Sequence, residues 1–212
     1  MSPRTTDDQA HDKKRQAILL SALRVFAREG YGSTRIQDIA NEAGTSSALL
    51  YHYFRDRDAV FSELVRLATA SSLGAFDLAV SAPGGPARGL YVLFDTVFHY
   101  AFAGDGPLFF LIMIQAMTFR RIPSEVQALL EASGGSYVTK LLPLIVAGQA
   151  CGEVRDADPL SVVGTILALI QGFAIVQAQS VDRLPLPAIA EVLRCVLTEK
   201  GIEALKGAKK NE

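Results

Sequence analysis

Gly44 interrupts two short runs of helical pattern, and this break constrains the stretch Thr34–Phe54 (TRIQDIANEAGTSSALLYHYF) more tightly than any other residue does. Upstream of it, Ile36, Ile39, Ala40 and Ala43 recur at helical spacing and form one apolar stripe. A glycine after such a stripe can take the left-handed conformation that closes a helix at little cost. Thr45 or Ser46 can cap a second helix, which Leu50 and Phe54, four residues apart, anchor. Ala40 is small where two such helices have to cross closely. Thr34 and Gln37 have the spacing of a capping box, which serves orphan N–H groups at a helix start. Two short helices joined in this way form a helix-turn-helix, the device that lays a helix in the DNA major groove.

A wider signature surrounds this motif. Phe26–Val60 reads FAREGYGSTRIQDIANEAGTSSALLYHYFRDRDAV, with Gly30-Tyr31, Thr34, Ile39-Ala40, Ala43-Gly44, Ser46, Leu50-Tyr51, Phe54 and Arg57 as its diagnostic parts. Over Arg15–Val60 the chain resembles the DNA-binding domain of the TetR (tetracycline-repressor-like) family of bacterial transcription regulators. Three positions depart from the family pattern: Arg35 replaces a threonine, Ala48 a frequent glycine, and Arg57 the usual lysine. Arg57 keeps the charge, while Ala48 and Leu49 bear on which bases are read. For the remainder of the chain, the resemblance implies a helical regulatory domain with a ligand cavity. It also implies a homodimer made mainly by the last two long helices.

Half of the 212 residues are hydrophobic and a fifth are charged, ample for a large core. Cys151 and Cys195 lie far apart without metal-ligand companions and read as reduced, buried thiols of a cytoplasmic protein. No metal or other cofactor is expected. The N-terminus MSPRTTDDQAHDKKR has no apolar signal core, and polar or small residues interrupt Leu160–Val176, so no membrane partner is expected. Charge alone would not reveal a DNA-binder, with 21 Lys and Arg against 22 Asp and Glu. Residues 13–66 hold nine basic and six acidic groups, a net of plus three, so two domains acting together are needed for affinity.

The expected fold is all-α, with about nine helices: a three-helix helix-turn-helix domain joined to a larger helical ligand-binding and dimerisation domain. Residues 1–12 read as a flexible arm, 13–56 as the DNA-binding domain, 57–80 as a linking helix and 206–212 as a flexible tail. The ligand-binding and dimerisation domain spans 57–205. Its punctuation, Pro83-Gly84-Gly85-Pro86, Gly104 to Pro107, Ile122-Pro123 and Gly152 to Pro159, places helices near 87–103, 107–120, 124–149, 159–180 and 186–205. Gly134-Gly135 and Pro143 predict a kink or interruption in the longest of these. Leu160–Val176, apolar nearly all round with small Gly164, Ala168 and Gly172, predicts a buried helix that pairs with its copy. Val192, Leu193 and Val196 on the final helix would complete a four-helix interface.

Base contacts come from the N-terminal residues of a recognition helix, here Ser46, Ser47, Ala48 and Leu49. The resemblance adds Gln37, whose competing role is the capping box. Tyr51, His52 and Arg57 form the expected phosphate clamp, with Thr34 and Arg35 at the first helix start. Tyr53 can either touch DNA or pack against the first helix. Lys13, Lys14 and Arg15 read as a solvated run. For a small apolar or amphipathic ligand, Phe94, Phe98, Phe102, Phe110, Met113, Met117, Tyr137 and Phe173 are candidate lining, with His99, Gln115 and Gln171 as orienting polar groups. Residue by residue, ordinary core or surface roles compete with each of these. The leading function is a homodimeric repressor released from a palindromic double-stranded DNA operator by such a ligand. The rivals are a helical adaptor that has lost DNA reading and an enzyme using Asp95 and His99, four apart on one helix face. No oxyanion loop, metal set or phosphate-cradling loop accompanies that pair.

Overall fold

The computed structural model describes residues 6–101, 104–119, 121–179 and 184–208. Among them are ten helices, and the chain divides into two compact units. The first comprises residues 1–68 with Leu111–Ala128, and the second Thr69–Phe110 with Leu129–Glu212.

In the first unit, α1 (Thr6–Glu29) begins well before Lys13, so the expected arm is helical from Thr6 onward. Ile18, Leu19, Ala22, Leu23, Val25 and Phe26 line its buried face. It ends on Gly30, whose φ of +81° suits glycine, and the Gly30 N–H donates to the Phe26 carbonyl at 2.9 Å. Next come α2 (Ile36–Glu42) and α3 (Ser47–Tyr53), separated by Gly44 at φ +58°. Then α4 (Arg57–Ser81) starts on an Asp56 cap, whose Oδ1 accepts from the Ala59 N–H at 2.8 Å. The unit thus extends past residue 56 to Ala68, and it takes in the C-terminal part of α6 (Gly106–Thr118) and the start of α7 (Ser124–Ala150). Ile112, Ala116 and Val126 are buried there.

The second unit is centred on α5 (Pro86–Ala101), which packs against α8 (Pro159–Gln179), α9 (Ile189–Leu193) and α10 (Glu199–Ala208). Leu90, Leu93, Phe94, Leu141, Ile145, Val162, Ile166 and Leu193 form its core. Helix α7 runs unbroken through Gly134-Gly135 and Pro143, so the expected interruption is absent.

The single helix expected over 186–205 is instead two. Between them, Leu197 forms an isolated antiparallel bridge with Val154, and Thr198 N–H donates to the Glu153 carbonyl at 2.9 Å. A Cβ at Gly201 would collide with that same carbonyl, so the helix start and the Glu153 turn are mutually fitted. Val192, Leu193 and Val196 are buried in the unit's own core, which corrects their expected place in a dimer seam. Cys151 and Cys195 are exposed, contrary to the expectation of buried thiols, because both fall on turns outside this core.

Candidate nucleic-acid interface

Helix α3 is held from one side only. Leu50 and Phe54 are buried, while Ser46, Ala48, Leu49, Tyr51 and His52 are exposed and Ser47 half-buried. Ser46 caps the helix, its Oγ accepting from the Leu49 N–H at 3.1 Å. The exposed face therefore carries small hydroxyl and apolar groups at its N-terminal end and rings toward its C-terminal end. Such a face suits a helix entering the major groove. Tyr53 packs on the first helix, with its ring 4.6 Å from that of His11, and His11 also meets His52 edge-on at 6.1 Å.

At the start of α2 the structure corrects the expected capping box. Arg35 is the N-cap, and Asp38 reaches back to accept its N–H at 2.8 Å. Thr34 is 1 % exposed and its hydroxyl donates to the Gly30 carbonyl at 2.8 Å, so its side chain is turned inward, away from any phosphate. Gln37, relieved of the box, is exposed beside the exposed Arg35.

Arg57 also departs from its expected place in a phosphate clamp. Its Nη1 donates to the carbonyls of Tyr31 and Thr34 at 3.2 and 3.0 Å. Its Nε and Nη2 both donate to Asp58 Oδ1, at 3.1 and 3.0 Å, and the guanidinium lies 4.6 Å over the Tyr31 ring. Asp58 also accepts from the Tyr31 hydroxyl at 2.9 Å. Burial, reinforced by that carboxylate, raises the Tyr31 pKa above its ordinary value. Arg57 is thus a brace for the α1–α2 turn with its charge largely answered.

Gln115, expected as a ligand-orienting group, has its amide committed to the first unit. Oε1 accepts from the Tyr31 N–H and Nε2 donates to the Phe26 carbonyl, both at 2.9 Å. One side chain on α6 thereby completes the cap of α1, a role that no local sequence signal reveals. Phe119 approaches the same turn, 6.1 Å from the Tyr31 ring. An open cleft of about 430 Å³ lies here, lined by Tyr31, Gly32, Arg57, Asp58, Phe119, Arg121, Ile122 and Pro123.

The candidate ligand residues are dispersed. Phe94 is buried, and Phe98 lies edge-on to both Phe94 and Phe173, at 5.9 and 5.3 Å. Phe110 packs on the same core, and the Tyr137 ring lies tilted against Phe76 at 4.9 Å, its burial raising its pKa. Met113 and Met117 belong to the first unit, where Met113 is half-buried and Met117 is 53 % exposed. His99 and Gln171 are exposed, so neither faces the aromatic core as an orienting group. Phe102 lies outside the described residues. Among the described residues no cluster of metal-ligating side chains occurs.

The family described as bacterial regulatory proteins, tetR family, matches residues 18–64. The transcriptional repressor NicS of Pseudomonas putida is 29% identical over 153 residues, covering 70% of this chain and 69% of that protein. The transcriptional regulator AcrR of Shigella flexneri is 37% identical over 98 residues, 45% of this chain and 43% of the relative. Two solved structures share the fold. The ketosteroid transcriptional regulator KstR2 of Mycobacterium tuberculosis has a TM-score of 0.73 at 22% identity, covering 87% of this chain and 95% of its own. PfmR of Thermus thermophilus has a TM-score of 0.70 at 23% identity, covering 84% and 93%. These relatives are regulators and not enzymes, so Asp95 and His99 carry no catalytic assignment. Residues 18–64 thus carry the DNA-binding domain of the TetR family, and the chain as a whole is similar to transcriptional regulators of that family.

Proposed function

We propose that the protein is a homodimeric cytoplasmic repressor that leaves a palindromic operator when a small, largely apolar ligand binds its second unit. The observation that carries the reading is the outward face of α3, where Ser46 to Leu49 and Tyr51-His52 are presented while Leu50 and Phe54 anchor the helix. On this reading Ser46, Ser47, Ala48, Leu49 and Gln37 meet base edges, and Arg35, Tyr51 and His52 meet phosphates.

Dimerisation rests on α8. One face of it, Val162, Val163, Ile166, Ile170 and Ala174, is buried in the unit's core. The opposite face leaves Leu160, Gly164, Ala168, Gly172, Ile175 and Val176 exposed, and nothing lies within 4 Å of a Cβ built on Gly164 or Gly172. By length and hydropathy α8 could span a membrane, yet its two apolar faces are explained by a core on one side and a second copy on the other. Two reading heads related by a twofold axis then meet two half-sites on one side of the duplex.

For the ligand, Phe94, Phe98, Phe110, Tyr137 and Phe173 offer an aromatic lining, and exposed His99 and Gln171 leave apolar contact as the main source of affinity. Ligand binding would tilt α4 and change the spacing of the heads, lowering affinity for both half-sites. A gel-shift with the DNA upstream of its own gene tests the reading, with Tyr51→Ala as control. The wild type should retard the duplex and the variant should not; equal binding by both would sink the assignment of α3.

A further inference from the structure

We propose that Arg121, on the connection between α6 and α7, is a DNA-backbone contact supplied from outside the helix-turn-helix. It presents a free guanidinium in the cleft between the α1–α2 turn and the start of α4, where a phosphate and its sugar can rest. This inference rests on the DNA-reading assignment above.

In the first unit, Arg15 and Arg66 both bond Glu63, Arg28 bonds Glu29 and Glu42, Arg55 bonds Asp56, and Arg57 bonds Asp58. Each of these cations is met by a carboxylate, which leaves less charge for a polyanion than the composition implies. By contrast, Arg35 and Arg121 stand in none of the ion pairs described for this unit. Arg35 stands at the α2 cap, already within the expected interface. Arg121 is exposed and lines the cleft together with Arg57. The cleft's carboxylate, Asp58, is occupied by Arg57 and the Tyr31 hydroxyl, so it does not draw Arg121 in.

Position and shape point to the duplex. Tyr31 and Gly32 lie in the α1–α2 turn, joined to the start of α2 through Ser33, Thr34 and the Arg35 cap, and Arg57 opens the helix that follows α3. In a helix-turn-helix the first helix crosses the backbone while the second lies in the groove, so phosphates pass close to the α2 start. Phe119, Ile122 and Pro123 give the cleft an apolar wall suited to a deoxyribose face, with the guanidinium at its edge for the phosphate oxygens. An open cleft does not enclose a small ligand, whereas a strand of DNA needs no enclosure.

The test is the salt dependence of binding to the upstream duplex and to unrelated duplex DNA. Arg121→Ala should weaken both alike. It should also lower the slope of log K against log salt by about 0.9 for each phosphate that the variant no longer neutralises. Arg121→Lys should restore most of the slope, and melting curves of both variants should match the wild type, since the side chain is exposed. An unchanged slope and affinity in Arg121→Ala would overturn the inference while leaving the α3 assignment standing. Failure of the wild type to bind any duplex would overturn both. Titration with inorganic phosphate at matched ionic strength separates the other source of the same chemistry. Saturable phosphate binding that Arg121→Ala abolishes, with no change in the DNA slope, would mark a small-anion site and count against the DNA contact.

Discussion

Arg57 and Tyr51 show how two neighbouring side chains divide the work of one surface. Arg57 spends its donors on two carbonyls and a carboxylate, so its removal should act first on stability. Arg57→Ala is expected to cost about 1–2 kcal/mol, below the full value of charged hydrogen bonds because the side chain is partly exposed. Arg57→Lys should recover little of this, since an ammonium cannot reproduce the fork. Urea denaturation of the three proteins measures both effects. Tyr51, 52 % exposed, should behave oppositely: Tyr51→Ala changes stability by less than about 0.5 kcal/mol while weakening DNA binding. These roles were only half legible. The type and spacing of Tyr51 and Ser46 placed them on an outward helix face. Whether the charge of Arg57 points to water or to a carbonyl depends on a turn that lies 23 and 26 residues away in sequence.

Gln115 connects one element to another. It substitutes for a peptide group at the end of α1, accepting from Tyr31 and donating to Phe26. Gln115→Ala should leave the Tyr31 N–H unsatisfied, costing about 1–3 kcal/mol, while the Phe26 carbonyl keeps its bond from the Gly30 N–H; the Tyr31 amide should lose protection in hydrogen exchange. Unchanged protection at Tyr31 would show that the amide is not the clasp. A second element-level test concerns α10: Gly201→Ala should destabilise by about 1–3 kcal/mol in thermal melts, because Glu153 and its bridge must move to admit the methyl group. Helices α2 to α8 were readable from periodicity and caps within a few residues, since those signals are local. The break between α9 and α10 was not, because a non-local bridge to Val154 outweighs the helical pattern of 186–205.

For the whole molecule, pH and association supply the tests. Hydrogen bonds from Arg66, opposed by some burial and aided by Arg15, hold the Glu63 pKa below its ordinary 4.5. A lowered folded-state pKa means this stabilisation is fully present above that ordinary value and lost as pH falls through the folded one. Glu63→Gln should therefore be less stable at pH 7 by up to about 1 kcal/mol, with the two stability curves converging in acid. Gly172→Glu should place a charge on the exposed face of α8, giving a monomer by sedimentation velocity with helical content retained and operator affinity lost. A stable dimer in that variant would move the interface elsewhere. By itself, the sequence determined the all-helical class, the Gly44 turn and the outward face of α3. Those follow from periodicity, capping and glycine conformation over a few residues. Only the tertiary structure decided that Thr34 turns inward, that Arg57 and Gln115 brace a turn, and that Val192, Leu193 and Val196 belong to the monomer core. Each of those outcomes depends on which distant backbone group or apolar face meets the side chain, and a one-dimensional pattern does not encode that meeting.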